Sequence, residues 1–250
     1  MRKLFLTFLC TACILLNYMQ SAFATDVTCI DNGHWKYTLI ENEQTTSVDT
    51  VIIYFHGSGN TGSTVKTLTK LMGKKAADGP TKYATTVTED WLPPGTVIVC
   101  PQAHSDNDFH ANTDEVLDLI ELQQTNYPEA KIVLAGHSNG AIMIFNLACT
   151  YGSDIADGWV FISGKSNTGK RLDSSMTNVM VASGTGEKKS KIGLARRGDF
   201  DNLFYTELGT KVTAWREEDT NNAYVVGSWS HGQTPRIFLE DFFWEWIKDV

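Results

Sequence analysis

Five short segments of this chain carry apolar, mostly β-branched side chains on consecutive positions: DTVIIYF (Asp49 to Phe55), GTVIVC (Gly95 to Cys100), KIVLA (Lys131 to Ala135), GWVFIS (Gly158 to Ser163) and NVMVAS (Asn178 to Ser183). A strand with one solvated face alternates polar and apolar residues; one that is apolar throughout is buried on both faces, as in a parallel sheet covered by helices. The intervening segments have helical spacing. Val65, Leu68, Leu71 and Met72 recur on one side, and TDEVLDLIELQQT (Thr113 to Thr125) places acidic residues in its first turn and Val116, Leu119 and Ile120 on one face. A third helix, from about Asn139, is apolar nearly all round and therefore buried. Together they predict an α/β chain, a three-layer α/β/α arrangement around a mostly parallel central sheet. WKYTLIE, which alternates, reads as a less buried antiparallel edge, and PRIFLEDFFWEWIKDV reads as a closing helix that starts at Pro235 and repeats Phe238, Phe242 and Trp246 every four residues.

The N-terminus stands apart. Arg2 and Lys3 precede an apolar run from Leu4 to Leu16, and Ala22-Phe23-Ala24 supplies the small residues of a cleavage site, so residues 1–24 read as a secretory signal peptide. The run is too short for the roughly 20 residues that span a bilayer. Cys13 follows Thr11-Ala12, but Cys10 stands where a lipobox has leucine, which speaks against lipidation. Residues 25–250 are then expected to form a single domain, secreted or periplasmic. The chain has 29 acidic against 21 basic residues, two of which lie in the leader. That balance, without a basic cluster, argues against a nucleic-acid partner and an anionic membrane surface. Past the leader Cys29, Cys100 and Cys149 remain, enough for one disulfide or for three unreactive thiols; for Cys149, inside the apolar helix, the thiol is favoured. No Cys/His spacing suits zinc.

KIVLA runs into Gly136-His137-Ser138-Asn139-Gly140, a G-x-S-x-G motif between a buried strand and a buried helix. Ser138 is either the N-cap of that helix or a nucleophile on a sharp turn. Serine alone is not nucleophilic at neutral pH, so the second reading demands a base and an acid further along. His34, His56, His104, His110 and His137 all precede Ser138, and His231 alone follows it, in GSWSHGQTP. The acid belongs on a loop at the carboxyl end of an intervening strand. NVMVASGTGE offers Glu187, with Asp199 and Asp201 in RRGDFDN as alternatives and Asp173 a weaker one. A tetrahedral intermediate also needs amide donors. The N–H of Asn139 is one, and YFHGSGN supplies the other at Ser58, with Gly57 and Gly59 freeing the turn and His56 shaping it. Asn139 counts here for its backbone N–H rather than its side chain.

With HGSG, GHSNG, SGTGE and SHG in this order, the chain resembles the α/β-hydrolase superfamily over essentially all of its length past the leader. The resemblance implies the α/β-hydrolase fold, Ser138 as nucleophile, His231 as base, Glu187 as acid, and the Ser58 and Asn139 amides as oxyanion hole, with no cofactor and no metal. Most members have Asp at the acid position. Within the superfamily the leader and the H-G-x-G loop look like the secreted polyhydroxybutyrate depolymerase and feruloyl esterase group, although SHGQTP lacks that group's H-x-W-P-G.

HSDNDFH sets His104, Asp106, Asp108 and His110 at alternate positions, but it lacks the glycine and final glutamate of a calcium loop and reads as a polar loop at the rim of the site. RGD at Arg197 to Asp199 reads as an ordinary charged loop. Only Lys165 to Thr177 separates GWVFIS from the next strand, too little for a cap domain, so an open site is expected, with Trp229 and Phe109 as candidate apolar contacts. The expectation is an exported serine carboxylesterase whose partner is a small-molecule or polymer-linked ester. A peptidase or amidase with the same triad, or a binding protein on the same scaffold, are the competing classes.

Overall fold

The computed structural model describes residues 25–33, 35–106, 108–164, 172–185, 204–207 and 212–250. The expected leader lies outside them. Among the described residues ten strands form one sheet: β1 (Thr25–Asp31), β2 (Lys36–Asn42), β3 (Thr50–Phe55), β4 (Thr96–Gln102), β5 (Lys131–His137), β6 (Gly158–Ile162), β7 (Val179–Gly184), β8 (Phe204–Glu207), β9 (Val212–Arg216) and β10 (Ala223–Gly227), in the order β1-β2-β4-β3-β5-β6-β7-β10-β9-β8. From β4 to β10 every neighbouring pair is parallel. Antiparallel pairs β1·β2 and β9·β8 extend the sheet at its two sides.

Because strand residues alternate between faces, each central strand feeds two separate cores. Ile52, Tyr54, Val133, Ala135, Val160, Ile162, Met180 and Ala182 point to one face, covered by α2 (Pro80–Thr86) and by the C-terminal segment with α6 (Asp241–Lys248). Val51, Ile53, Phe55, Ile132, Leu134, Trp159, Phe161 and Val181 point to the other, covered by α4 (Thr113–Asn126) and α5 (Asn139–Tyr151). Two short helices, α1 (Val65–Thr69) and α3 (Asp108–Ala111), lie in the connections. The layers are therefore α/β/α, as the consecutive apolar runs require. No helix among the described residues is long and apolar enough to cross a membrane.

The C-terminal expectation needs correction. Pro235 does not begin an α-helix; it lies inside a 3₁₀ stretch, His231–Leu239. Glu240 then takes an extended conformation (φ −101°, ψ 129°), and the α-helix begins at Asp241. Phe238, Phe242 and Trp246 still share one core because the break turns the chain without turning it away from the sheet.

Cys29 and Cys100 carry free thiols. Both stand opposite Thr38, on strands either side of β2. Two strand spacings put them roughly 10 Å apart, beyond a disulfide's reach. Burial pushes the Cys100 thiol up to about 12.

Register decides where a site can form. Phe55 at the end of β3 stands beside Gly136 of β5, and His137 beside Ile162 of β6. The loops that leave these strands, HGSGN and the turn at Ser138, therefore emerge side by side at the carboxyl edge of the sheet, where ligands of open α/β sheets bind.

Candidate active site

Ser138 sits between β5 and α5 with φ 52° and ψ −111°, a conformation that L-residues rarely adopt. Two glycines permit the turn by close approach. A Cβ on Gly140 would lie 2.1 Å from the Phe55 carbonyl oxygen, and one on Gly136 would lie 2.6 Å from the Gly140 backbone. Although Ser138 holds the N-cap position, its hydroxyl does not cap the helix. Its Oγ lies instead 3.0 Å from His231 Nε2.

His231 is delivered from the far side of the sheet. After β10 the chain folds back over the strand ends, where a Cβ on Gly227 would meet the Trp229 indole at 2.3 Å and one on Gly184 the Trp229 carbonyl oxygen at 2.2 Å. Ser230 then donates to Gln233 Oε1 from both its N–H (3.1 Å) and its hydroxyl (2.9 Å), starting the 3₁₀ turn. Ser163 Oγ, at the end of β6, bonds the fully buried Thr234 Oγ1 at 2.7 Å, and Thr234 Oγ1 in turn donates to the carbonyls of Ser230 and His231. The His231 carbonyl also accepts from His137 Nε2 at 2.8 Å, and the two imidazoles pack with centroids 4.9 Å apart. His231 is thus tied to the turn that presents the serine.

The HGSGN loop lies against the same turn: a Cβ on Gly57 would meet Ser138 Cβ at 3.0 Å. His56 is buried beneath it. Its Nε2 accepts from the Ala103 N–H (3.0 Å), so Nδ1 bears the hydrogen and donates to the Gly57 carbonyl (2.7 Å). Burial holds this imidazole down to about 4, hence neutral. Gly59, at φ 87°, donates its N–H to Asp106 Oδ1 at 2.8 Å, and Gln102 Nε2 donates to the Asn60 carbonyl at 3.0 Å. Asn139 Nδ2 reaches across to Ser58 Oγ (2.7 Å) and to the Asp106 carbonyl (3.2 Å). Ser58 and Asn139, singled out for their amides, are therefore neighbours in space, with Ser138 between the elements that bear them.

HSDNDFH falls in the same neighbourhood. Asp106 holds Gly59; Asp108 accepts from the His104 N–H (2.9 Å) and from Asn112 Nδ2 (2.7 Å); burial lowers His110, opposed by its hydrogen bond to the Asn139 backbone. Two of its side chains thus brace the HGSGN loop and the start of α5. Among the described residues no group of three His, Cys, Asp or Glu is arranged to hold a metal.

Three expectations lie outside the described residues: Glu187, and its alternatives Asp199 and Asp201. Asp173 is described, in an exposed turn where its carboxylate accepts from the Ser175 hydroxyl (2.7 Å) and N–H (2.8 Å), which lower it. The two aromatic contacts are corrected. Trp229 is buried in one core and Phe109 in the other, against Trp35, Phe55 and His56.

The side chains of Asn139, Ser163 and Thr234 were not anticipated. Ser163 and Thr234 stand 71 residues apart and carry no local signal; Asn139, beside the serine, was legible only as a backbone donor.

No family model matches the chain, and no curated protein does. Among solved structures it is similar to the acetyl xylan esterase from Aspergillus awamori, at 13% identity and a TM-score of 0.57, over 90% of this chain and 100% of that one. A thermostable esterase also matches, at 13% identity and a TM-score of 0.46, over 63% of this chain. So does an esterase from Pyrobaculum calidifontis, at 18% identity and a TM-score of 0.38, over 70% of this chain. This chain spans 46% and 56% of those two proteins, respectively. At such identities the likeness is one of fold: the architecture is that of the α/β-hydrolases.

Proposed function

We propose that the protein is an exported serine hydrolase acting on ester bonds. One observation carries the reading: the Ser138 hydroxyl, on a backbone conformation that costs energy, forgoes the helix cap and lies 3.0 Å from His231 Nε2. His231 takes the Ser138 proton as Oγ attacks the ester carbonyl. The negative charge that develops on the carbonyl oxygen is met by the Ser58 and Asn139 N–H groups. The imidazolium returns its proton to the leaving alcohol, and water then releases the acyl group from Ser138 by the reverse path. Glu187 is the acid that holds the His231 tautomer and stabilises the imidazolium.

The substrate reading is a soluble or polymer-linked carboxylic ester. Acetyl xylan esterase shares the fold, which makes a short acyl group the first to test. The narrower reading, the polyhydroxybutyrate depolymerase and feruloyl esterase group, rests on the leader and the HGSG loop; SHGQTP departs from it.

A fluorophosphonate probe tests the assignment. It is expected to label the native protein and to leave Ser138→Ala unlabelled; no labelling, or equal labelling of both, overturns it. Replacing Glu187 and Asp199 separately by Ala assigns the acid, since the true one lowers kcat by orders of magnitude and the other leaves it nearly unchanged. Nitrophenyl esters of graded acyl length then set the acyl preference.

A further inference from the structure

His231 opens a 3₁₀ stretch of nine residues, His231–Leu239. The hydrogen bonds of a 3₁₀ helix are poorly aligned and such runs seldom exceed about four residues, so one of this length must be held from outside. With three residues per turn, His231, Thr234 and Ile237 share one face, and Gln233, Arg236 and Leu239 another. The first is fixed by the full burial of Thr234 and Ile237. On the second, Arg236 Nε donates to Asp78 Oδ2 at 3.1 Å, across 158 residues of sequence. Asp78 is itself held: its side chain is 9% exposed, and its Oδ1 accepts from Lys82 Nζ of α2 at 2.7 Å. The next residue, Gly79, lies against Tyr54, where a Cβ would meet the ring at 3.4 Å. Phe238 stands edge-on to the same ring, with centroids 5.5 Å apart. Arg236 and Phe238 thus fasten the stretch beside Tyr54, two residues short of the HGSGN loop.

We infer, on the serine-hydrolase reading above, that Arg236 held by Asp78 is a positioning residue for His231, keeping the stretch that carries the imidazole on its 3₁₀ path. Helix geometry sets the size of the effect. A 3₁₀ helix rises about 2.0 Å per residue and an α-helix about 1.5 Å. Arg236 follows His231 by five positions, so relaxing that span to α spacing moves one end against the other by about 2.5 Å. A fraction of that movement breaks the 3.0 Å contact between His231 Nε2 and Ser138 Oγ. The pair is poorly suited to a purely stabilising role, because the Arg236 side chain is half exposed and ion pairs of that kind add little to folding. No bond is made or broken at either residue; both act through the backbone that bears His231.

The test uses the full protein, a nitrophenyl acetate assay and the rate of fluorophosphonate labelling at Ser138. Arg236→Met keeps the apolar stem and removes the guanidinium. It is expected to lower kcat about tenfold with KM changed less than about threefold, and to slow labelling by the same factor, because both reactions need the imidazole within reach of the serine. Arg236→Lys keeps the charge and most of the reach, and should retain at least about a third of the native kcat. Asp78→Asn should be slowed like Arg236→Met, and the double variant should be no slower than the slower single one, because the two residues act as a pair. A native protein that labels and hydrolyses the ester, with Arg236→Met within about threefold of it in kcat, overturns this inference and leaves the hydrolase reading standing. So does Arg236→Lys as slow as Arg236→Met, or single effects that multiply in the double variant. A loss of activity that only follows the folded fraction through a urea titration assigns the pair to folding and overturns the inference too. A native protein that neither labels nor turns over removes both readings.

Discussion

Ser138 is a residue whose backbone serves its side chain. At φ 52° and ψ −111° it occupies the glycine-favoured first position of a tight turn, a placement that costs a serine on the order of 1–3 kcal/mol. Ser138→Gly is therefore expected to be inactive yet more stable than Ser138→Ala by about 1 kcal/mol, since glycine relieves the strain that alanine retains. Thermal melts of the two variants decide it; an alanine variant at or above the glycine one means the turn stores nothing. His56 makes a different sacrifice. Free in an unfolded chain it takes up a proton near its ordinary value of about 6.5; buried in the fold it does so only near about 4. Above pH 6.5 both states are neutral and nothing is lost. Between pH 6.5 and 4 the unfolded chain gains the proton and the folded one does not, so stability falls, by about 3 kcal/mol at the lower end. Urea titrations over this range should show native protein losing its advantage over His56→Gln as pH drops, and a constant difference between them would contradict that burial. At this scale the sequence was informative for chemistry carried by residue type and order: one serine in a glycine frame, one histidine after it, one H-G-x-G loop before it. It was silent on the Asn139 carboxamide, whose partners Ser58 and Asp106 are 81 and 33 residues away in sequence.

Elements hold those residues in place, and there the legibility was uneven. β3 to β7 could be read because burial on both faces writes itself as an unbroken apolar run. β8 and β9 could not; FYTE and VTAWR are short and mixed, as strands outside the doubly covered centre of a sheet are. The C-terminal helix was placed six residues too early because Pro235 is a good first residue for a helix and equally tolerated in a 3₁₀ turn. What holds that segment is the pair Ser163–Thr234, joining the end of β6 to the turn that carries His231. Thr234→Val removes a fully buried hydroxyl, strands the Ser163 donor and takes a donor from the Ser230 and His231 carbonyls. It should cost about 1–3 kcal/mol in denaturant titration. Activity, measured well below the midpoint, should fall as well, because the His231 backbone loses an anchor. Adding Ser163→Ala should recover part of the stability by removing the stranded group, and little of the activity. Recovery of both would mean that the contact acts on folding alone.

At the scale of the molecule, a parallel sheet must be covered on both faces, and α6, in the last ten residues of the chain, shares one of those covers with α2. Phe242, Phe243, Trp246 and Ile247 enter the same core as Ile52, Val133 and Val160 on the central strands. Trp246 is fully buried, and its Nε1 donates to the Asn221 carbonyl at 2.6 Å, fastening α6 to the turn that precedes β10. That turn leads into β10, and β10 leads to His231, so the helix that closes the core also backs the strand that leads to the proposed base. Two substitutions separate the cover from the fastening. Trp246→Phe keeps most of the apolar volume and loses the N–H, leaving a buried carbonyl unpaired at a cost of about 1–3 kcal/mol. Trp246→Ala opens a cavity as well and should cost about 3–5 kcal/mol, a large part of what a domain has to spare. If α6 folds with the rest as one unit, urea unfolding of both variants shifts in midpoint with the slope unchanged, and ester hydrolysis is lost over the same denaturant range as the far-ultraviolet signal. A helix that merely decorates the sheet would instead melt first, giving a separate transition in tryptophan fluorescence while hydrolysis at His231 and Ser138 continues.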